Sequence, residues 1–562
     1  MGTIYKVVIY QIFTRLWGNL QSELVCNGTR AENGCGGMNA VTTKALHKLR
    51  DMGVTHVWYT GLLAHASATD YSAFGIPRNH PAMVKGRAGS PYAVRDYYDL
   101  DPDLASSPER RWDEFRALIE RTHKAGLRVI MDFVPNHVAR EYHSVMKPEG
   151  VRDLGEDDEQ SLAFSPQNNF YYLPGQPLNC SFDMKGEERE PYVEMPAKAT
   201  GNDCFTPCPR CNDWYETVKL NYGIDYCNGG TKHFAPLPAT WEKMADILLY
   251  WAQQGVDGFR CDMAEMVPQE FWGYATERVR KLYPHIIFIG EVYNPGLYRS
   301  YLVHGFDLLY DKVGLYDTLR AVVGGQSATS ITGAWQAVDD IADHMLNFLE
   351  NHDEQRIASD FFAGSAEKGK PALAVQACMR GQAQMIYFGQ ELGERGMDEE
   401  GFSGLDGRTT IFDYWSVRSI REWQAADYCT KKLRKETQSL RSWYKKVLLL
   451  SQTEPALKDG AFFDLMYANY QNAGFDCHRL FAFLRKWEDE LILVVANFSD
   501  REQTAAPIIP AHAFDCLKLK EGNFEGRDML NNRRWSGELH RDGRLRVNVP
   551  AQGAAIVKIY GD

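Results

Sequence analysis

Four separated stretches of this chain each carry acids or histidines directly after an apolar run: Asp132 to His137 (DFVPNH), Gly258 to Asp262 (GFRCD), Ile289 to Tyr293 (IGEVY) and Glu350 to Arg356 (ENHDEQR). Along an extended segment side chains alternate faces, so Arg260 and Asp262 point together and Cys261 points the other way, into packing. Asp262 beside Arg260 is an acid kept ionised by a neighbouring cation, the state a carboxylate nucleophile needs. Glu291 ends the apolar run Ile286 to Ile289, and a carboxyl arriving from such a strand can hold a raised pKa, which suits a general acid. Two carboxyls roughly 5 to 5.5 Å apart are what a retaining displacement at a sugar's anomeric carbon requires. Taken singly, the Asp–Arg pair is as readily a structural ion pair, and a histidine at a strand end a satisfied structural residue. Four such segments in order carry the chemical reading.

Groups so far apart in sequence need a rigid frame to bring them together. Strand-like runs at Val7 to Phe13, Thr55 to Tyr59, Arg128 to Val134 and Gly258 to Cys261 alternate with helical patterns. Further runs follow at Ile286 to Ile289, Asp307 to Tyr310, Met345 to Leu349 and Gln384 to Phe388. The helical patterns include Glu109 to Lys124, Ala239 to Gln253, Gln269 to Leu282, Ile331 to His344 and Thr437 to Leu449. Within the first, Phe115, Leu118 and Ile119 recur at the spacing of a helix resting one face on a sheet. Strand then helix, eight times over, predicts an α/β fold of the (β/α)8 barrel type, with its chemistry at the C-terminal ends of the strands.

Between the third and fourth strands lies an insertion of roughly ninety residues, 138–228, far longer than an ordinary connection and predicted to be a small domain. The barrel then comprises 1–137 and 229–452. From about Thr453 to the end, alternating runs such as Leu480 to Leu484, Leu491 to Phe498 and Ala554 to Tyr560 predict an antiparallel β-sandwich over 453–562.

The chain of 562 residues has 62 basic and 74 acidic residues, a net charge of -12, which disfavours nucleic acid and anionic lipid as partners and favours a neutral substrate. No segment approaches the roughly 20 apolar residues that span a bilayer. No export signal is visible at the N-terminus, so a cytoplasmic location is expected. Twelve cysteines are many for such a location. Cys180, Cys204, Cys208, Cys211 and Cys227 all fall in the insertion, and three of them are spaced C-x3-C-x2-C. Structural zinc, disulfides and free thiols are the three readings, zinc requiring a fourth thiolate from Cys180 or Cys227. Oligomeric state leaves no mark in the sequence.

The four segments together resemble the signature segments of the α-amylase family of glycoside hydrolases. Three more stretches extend the resemblance: Ser90 to Asp101 (SPYAVRDYYDLD), Val218 to Asn221 (VKLN) and Tyr387 to Gly393 (YFGQELG). It covers the barrel, roughly the first 450 residues, and implies a retaining α-glucan hydrolase that needs no cofactor for its chemistry. By resemblance Asp262 is the nucleophile, Glu291 the acid/base and Asp353 the third carboxylate. Tyr92 stacks on the bound sugar, and His137 and His352 hydrogen-bond the same ring, with Arg260 among the binding residues. The insertion corresponds to the family's domain B and the sandwich to its domain C.

The sequence also departs from the family. Many members follow the nucleophile with Lys-His at the positions of Glu265 and Met266, a pair that contributes to substrate and calcium binding. Glu265 is therefore expected on the leaving-group side of the cleft, and calcium is left with Asn136 as its one matched ligand. Glu354 directly after Asp353 keeps open an α-glucan transglycosylase or glucoside isomerase using the same covalent intermediate. A noncatalytic sugar-binding barrel is the remaining alternative.

Overall fold

The computed structural model describes residues 6–179, 190–380 and 383–561. Eight parallel strands close into a barrel: β1 (Val7–Phe13), β2 (His56–Thr60), β3 (Arg128–Phe133), β4 (Gly258–Cys261), β5 (Ile287–Gly290), β6 (Leu308–Tyr310), β7 (Met345–Phe348) and β8 (Ala383–Tyr387). Each neighbours the next around the ring, and β8 pairs with β1 at Val7↔Ala383. Alternation along these strands divides them between two cores. Val7, Ile9, Trp58, Ile130, Ile289, Leu308 and Met385 pack together as one cluster, the barrel filling. Val8, Tyr10, Val57, Val129, Met131, Phe259 and Cys261 belong to the much larger cluster shared with the helices. Cys261 thus packs outward, as the alternation predicts.

The covering helices follow their apolar stripes. In α1 (Arg111–Lys124) the buried positions include Phe115, Leu118 and Ile119. Between β3 and β4 runs α2 (Ala239–Gln253), and α3 (Gln269–Leu282) joins β4 to β5, both at their predicted bounds. The stretch predicted as one helix, Ile331 to His344, is instead α4 (Ser330–Ala337) followed by a tighter turn over Asp339–His344. The break falls at Val338, at φ -124 and ψ 21, just before two aspartates whose side chains compete with helical backbone bonds.

After β3 the chain makes its long excursion, whose described residues are held by short two-stranded pairings. His137–Ala139 pairs with Thr217–Lys219, and Tyr172–Leu173 with Ala197–Lys198. Gly201 lets the excursion lie against the barrel, because a Cβ there would meet the Cβ of His137 at 2.8 Å. Beyond α5 (Lys435–Thr453) comes a six-stranded antiparallel sheet containing Leu480–Trp487, Glu490–Asn497 and Gly553–Gly561, with two two-stranded ribbons beside it. Leu480–Trp487 is buried on both faces over most of its length, whereas Gly522–Asp528 alternates exposed and buried, as a strand with one wet face does.

Candidate active site

The register of β4 on β5 fixes the centre of the site. Cys261 pairs with Gly290, so Asp262 and Glu291, each one residue further on, emerge side by side on strands about 4.8 Å apart. The ladder continues beneath them: the Asp262 amide donates to the Phe133 carbonyl at 2.8 Å and the Glu291 amide to that of Cys261 at 3.1 Å.

Arg260, 1% exposed, lies under both acids. Its Nη1 bonds Asp262 Oδ1 at 2.6 Å and reaches Asp132 Oδ1 at 3.4 Å, while Nη2 stands 2.7 Å from Glu291 Oε2. Nε donates to the Tyr310 hydroxyl at 3.2 Å, and the rings of Trp58, Tyr92 and Tyr310 lie 5.2 to 5.6 Å from the guanidinium carbon. Burial opposes the guanidinium charge, but Glu291, Tyr310, Tyr92 and Asp262 around it outweigh burial and hold its pKa above the usual arginine value. Expected from the sequence among the substrate-binding residues, Arg260 is instead enclosed beneath the carboxylates, its Nη1 bonded to Asp262 and its Nε to Tyr310.

The Glu291 carboxylate is hydrogen-bonded and not apolar in its surroundings, although an apolar strand delivers it. Oε1 accepts the Tyr293 hydroxyl at 2.6 Å, and Oε2 accepts the Met263 amide at 2.8 Å. Met263 has φ 42 and ψ 43, a left-handed conformation that costs a residue bearing a side chain about 1 kcal/mol or more. That turn aims the amide at Glu291.

Asp353 stands at the cleft with its side chain 34% exposed, its Oδ2 3.1 Å from His352 Nε2. His352 Nε2 also meets the Tyr92 hydroxyl at 2.6 Å, and its Nδ1 faces the Gln11 amide at 2.9 Å. Burial and, for His352, the Arg260 charge lower both cleft histidines, His137 to about 3, so both are neutral hydrogen-bonding partners. The cleft, of about 790 Å³, is lined by Tyr92, His137, Asp262, Glu291, His352 and Asp353. These six, all expected from the sequence, do meet in one place. Part of the wall was not expected: Lys85, Trp214, Glu216 and Phe412 also line the cleft. One signal was present, since Trp214 is the single tryptophan of the insertion.

Asp132, Asp262 and Glu291 crowd one guanidinium and Asp353 lines the same cleft, and these negative charges cannot all be carried cheaply away from bulk water. Burial raises Asp262 well above the ordinary aspartate range against the pull of Arg260. Confinement and the Glu291 charge push Asp353 up to about 7. Asp132, 7% exposed and bonded by Trp58 Nε1 at 2.9 Å, is pushed up to about 6 by burial, with Arg260 opposing. An acid whose folded-state pKa exceeds its ordinary 3.8 keeps a proton that the unfolded chain releases, so stability is lost as pH rises through that window. Asp132→Asn removes this cost. Its Tm, measured by calorimetry against that of the unsubstituted protein, is expected to gain progressively from about pH 4 to about pH 6 and to level above that. A Tm difference independent of pH would contradict the assignment.

Glu265 does not line the cleft as the sequence suggested. Its Oε2 accepts the amides of Tyr293 and Asn294 at 3.0 and 2.9 Å, which pins the turn that follows Glu291. The reason is steric direction: the chain turns at Met263, so Glu265 faces the neighbouring loop. Glutamine retains an acceptor oxygen, so Glu265→Gln is expected to keep kcat within about twofold, whereas Glu265→Ala lowers kcat about tenfold with little change in KM. An equal rise of KM in both variants would return Glu265 to the sugar.

The metal candidates separate. Asn136 Oδ1 accepts the Lys219 ammonium at 2.8 Å, and its Nδ2 donates to the Gly201 carbonyl at 2.7 Å. An ion wanting six to eight oxygens does not fit a place where the one matched oxygen already faces a cation. Among the described residues no three His, Cys, Asp or Glu side chains gather as a metal-holding group, and Cys204, Cys208, Cys211 and Cys227 are unpaired. Cys211 lies in the cleft wall near Trp214, while Cys204 stands by Thr200 and Asp213. Cys180 lies outside the described residues. Cys26 and Cys35 are also unpaired. Glu354 is held by the Tyr316 hydroxyl at 2.8 Å and by Lys312 at 3.2 Å, at the edge of the same cleft.

Comparison with known proteins matches residues 26–442 to the family description "Alpha amylase, catalytic domain". An α-amylase of Haloarcula japonica is 24% identical over 530 residues, covering 92% of this chain and 59% of that protein, so the chain spans about three fifths of that relative's length. Neopullulanase 2 of Thermoactinomyces vulgaris is 22% identical over 561 residues, 96% of this chain and 78% of that one. Among solved structures, a maltogenic α-amylase from Thermotoga neapolitana superposes with a TM-score of 0.62 at 20% identity over 99% of both chains. An α-amylase from Geobacillus thermoleovorans, complexed with acarbose, gives 0.64 at 19% identity over 100% of both. At such identities these structures speak for the fold.

Proposed function

This chain belongs to the α-amylase family of glycoside hydrolases, and from that premise we propose that it cleaves α-1,4-glucosidic bonds in maltooligosaccharides or starch-like glucans with retention of configuration. The observation that carries the reading is the pairing of Asp262 and Glu291 on adjacent strands over one shared guanidinium. Neighbouring strands favour the short separation of a retaining pair over the roughly 6.5 to 9.5 Å that leaves room for an attacking water.

In this mechanism Asp262 Oδ attacks the anomeric carbon as Glu291 delivers its proton to the departing glycosidic oxygen. The glycosyl ester on Asp262 is then hydrolysed by water whose proton Glu291 takes back. Arg260 stabilises the ionised nucleophile before attack and after release. The Tyr293 hydroxyl and the Met263 amide hold Glu291 in place for delivery. Asp353, with neutral His352, neutral His137 and Tyr92, grips the hydroxyls and face of the reacting ring.

The names of the relatives, α-amylase, neopullulanase and cyclomaltodextrinase, support α-glucans as the substrate class. Transfer to a second sugar uses the same intermediate, and Glu354, held by Lys312 and Tyr316 at the cleft edge, is the residue such a transfer would enlist to bind the acceptor. Incubation with maltoheptaose and, separately, pullulan, followed by chromatography of product lengths, tests the reading. Shorter maltooligosaccharides alone are expected from maltoheptaose. Products longer than the donor with little new reducing end would make the chain a transferase, and cleavage confined to pullulan would move the specificity to α-1,6 bonds.

A further inference from the structure

We infer that the ammonium of Lys219 is a built-in cation that holds the long excursion to the barrel, at a place whose residues suit an ammonium and do not fit a calcium ion. Lys219 ends the strand Thr217–Lys219, is the register partner of His137, and has a side chain 2% exposed. Its Nζ donates to Asn136 Oδ1 at 2.8 Å and pairs with Asp203 Oδ1 at 2.5 Å. The Tyr226 ring lies 5.7 Å from the nitrogen, itself packed on Tyr171 and Phe205.

The partners come from different parts of the fold. Asn136 follows barrel strand β3, while Asp203 and Tyr226 belong to the chain beyond it, so one charge draws the pieces together. A compact ammonium with three donors is satisfied by two oxygens and an aromatic face. A calcium ion is not, since it asks for several more oxygens than Asn136 and Asp203 offer. Asn136 completes the tie through its other end, which donates to Gly201, the glycine packed on His137. The cation therefore also fixes the backbone around a histidine of the cleft, and burial, reinforced by its charge, keeps that imidazole neutral.

Calorimetry on the full chain tests this. The unsubstituted protein is expected to show the same Tm, to about 1 °C, in excess EDTA and in millimolar calcium chloride. Lys219→Met leaves Asp203 and Asn136 facing an apolar side chain and is expected to lower Tm by about 5 °C or more in either medium. Lys219→Asp places a further carboxylate in the same pocket and is expected to acquire what the original lacks, a Tm raised by calcium and lowered again by EDTA. A Tm of the unsubstituted protein that falls in EDTA and recovers with calcium would overturn the inference, because a metal would then share the role. So would a Lys219→Met protein as stable as the original, or a folded Lys219→Asp protein indifferent to calcium. If Lys219→Asp does not fold, the EDTA comparison and Lys219→Met decide the matter between them.

Discussion

Asp262→Asn is expected to lower kcat on maltoheptaose by about 10⁴- to 10⁶-fold while leaving the protein folded, with a Tm no lower than that of the original. The activity loss follows from chemistry, because an amide cannot form the glycosyl ester and no other group stands where Asp262 does. Preservation of the fold follows from electrostatics. Burial already raises Asp262 well above its ordinary pKa, so its charge is a burden on the folded state, and the amide oxygen still accepts from Arg260 at the position now 2.6 Å away. Initial rates and calorimetry on the same preparation check both halves. A variant with more than a hundredth of the original kcat would remove Asp262 from the role of nucleophile.

Glu291→Gln is the second large effect, and its pattern across substrates says more than its size. Loss of the proton donor is expected to lower kcat/KM on maltooligosaccharides by about 10² to 10⁴-fold. An α-glucosyl fluoride leaves without a proton, so it should still load Asp262 at a rate close to the original. The intermediate then waits for a base that is missing, and added azide, a nucleophile that needs none, should restore turnover and yield a glycosyl azide of retained configuration. Equal losses on the fluoride and the oligosaccharide, with no response to azide, would mean that Glu291 positions the substrate and does not move the proton.

Much of this arrangement is legible in the sequence. Strand limits fall within about a residue of those expected because parallel barrel strands are buried on both faces and read as short unbroken apolar runs. The carboxylates are legible because a barrel presents its strand ends to one cleft, so Asp262 after β4 and Glu291 after β5 have to meet. Beyond the strand ends that logic stops. Glu265 lies three residues past Asp262, but the left-handed turn at Met263 sends its carboxylate to the amides of Tyr293 and Asn294, a direction no spacing rule encodes. Arg260 was expected at the sugar for the same reason, since alternation gives its face and not its depth. Trp214 and Glu216 reach the cleft from an excursion with little regular structure, where hydrophobic period says nothing about orientation. Lys219 could be read only as part of a motif, because its partner Asp203 is sixteen residues away along an irregular path.

A double displacement between Asp262 and Glu291 leaves its mark in the configuration of the first product. Anomeric protons recorded by NMR during the first minutes of maltoheptaose cleavage, before mutarotation mixes them, are predicted to show the α-anomer appearing first and the β-anomer rising only later. Initial release of the β-anomer would mean a single displacement by water, and would contradict a covalent glycosyl intermediate on Asp262.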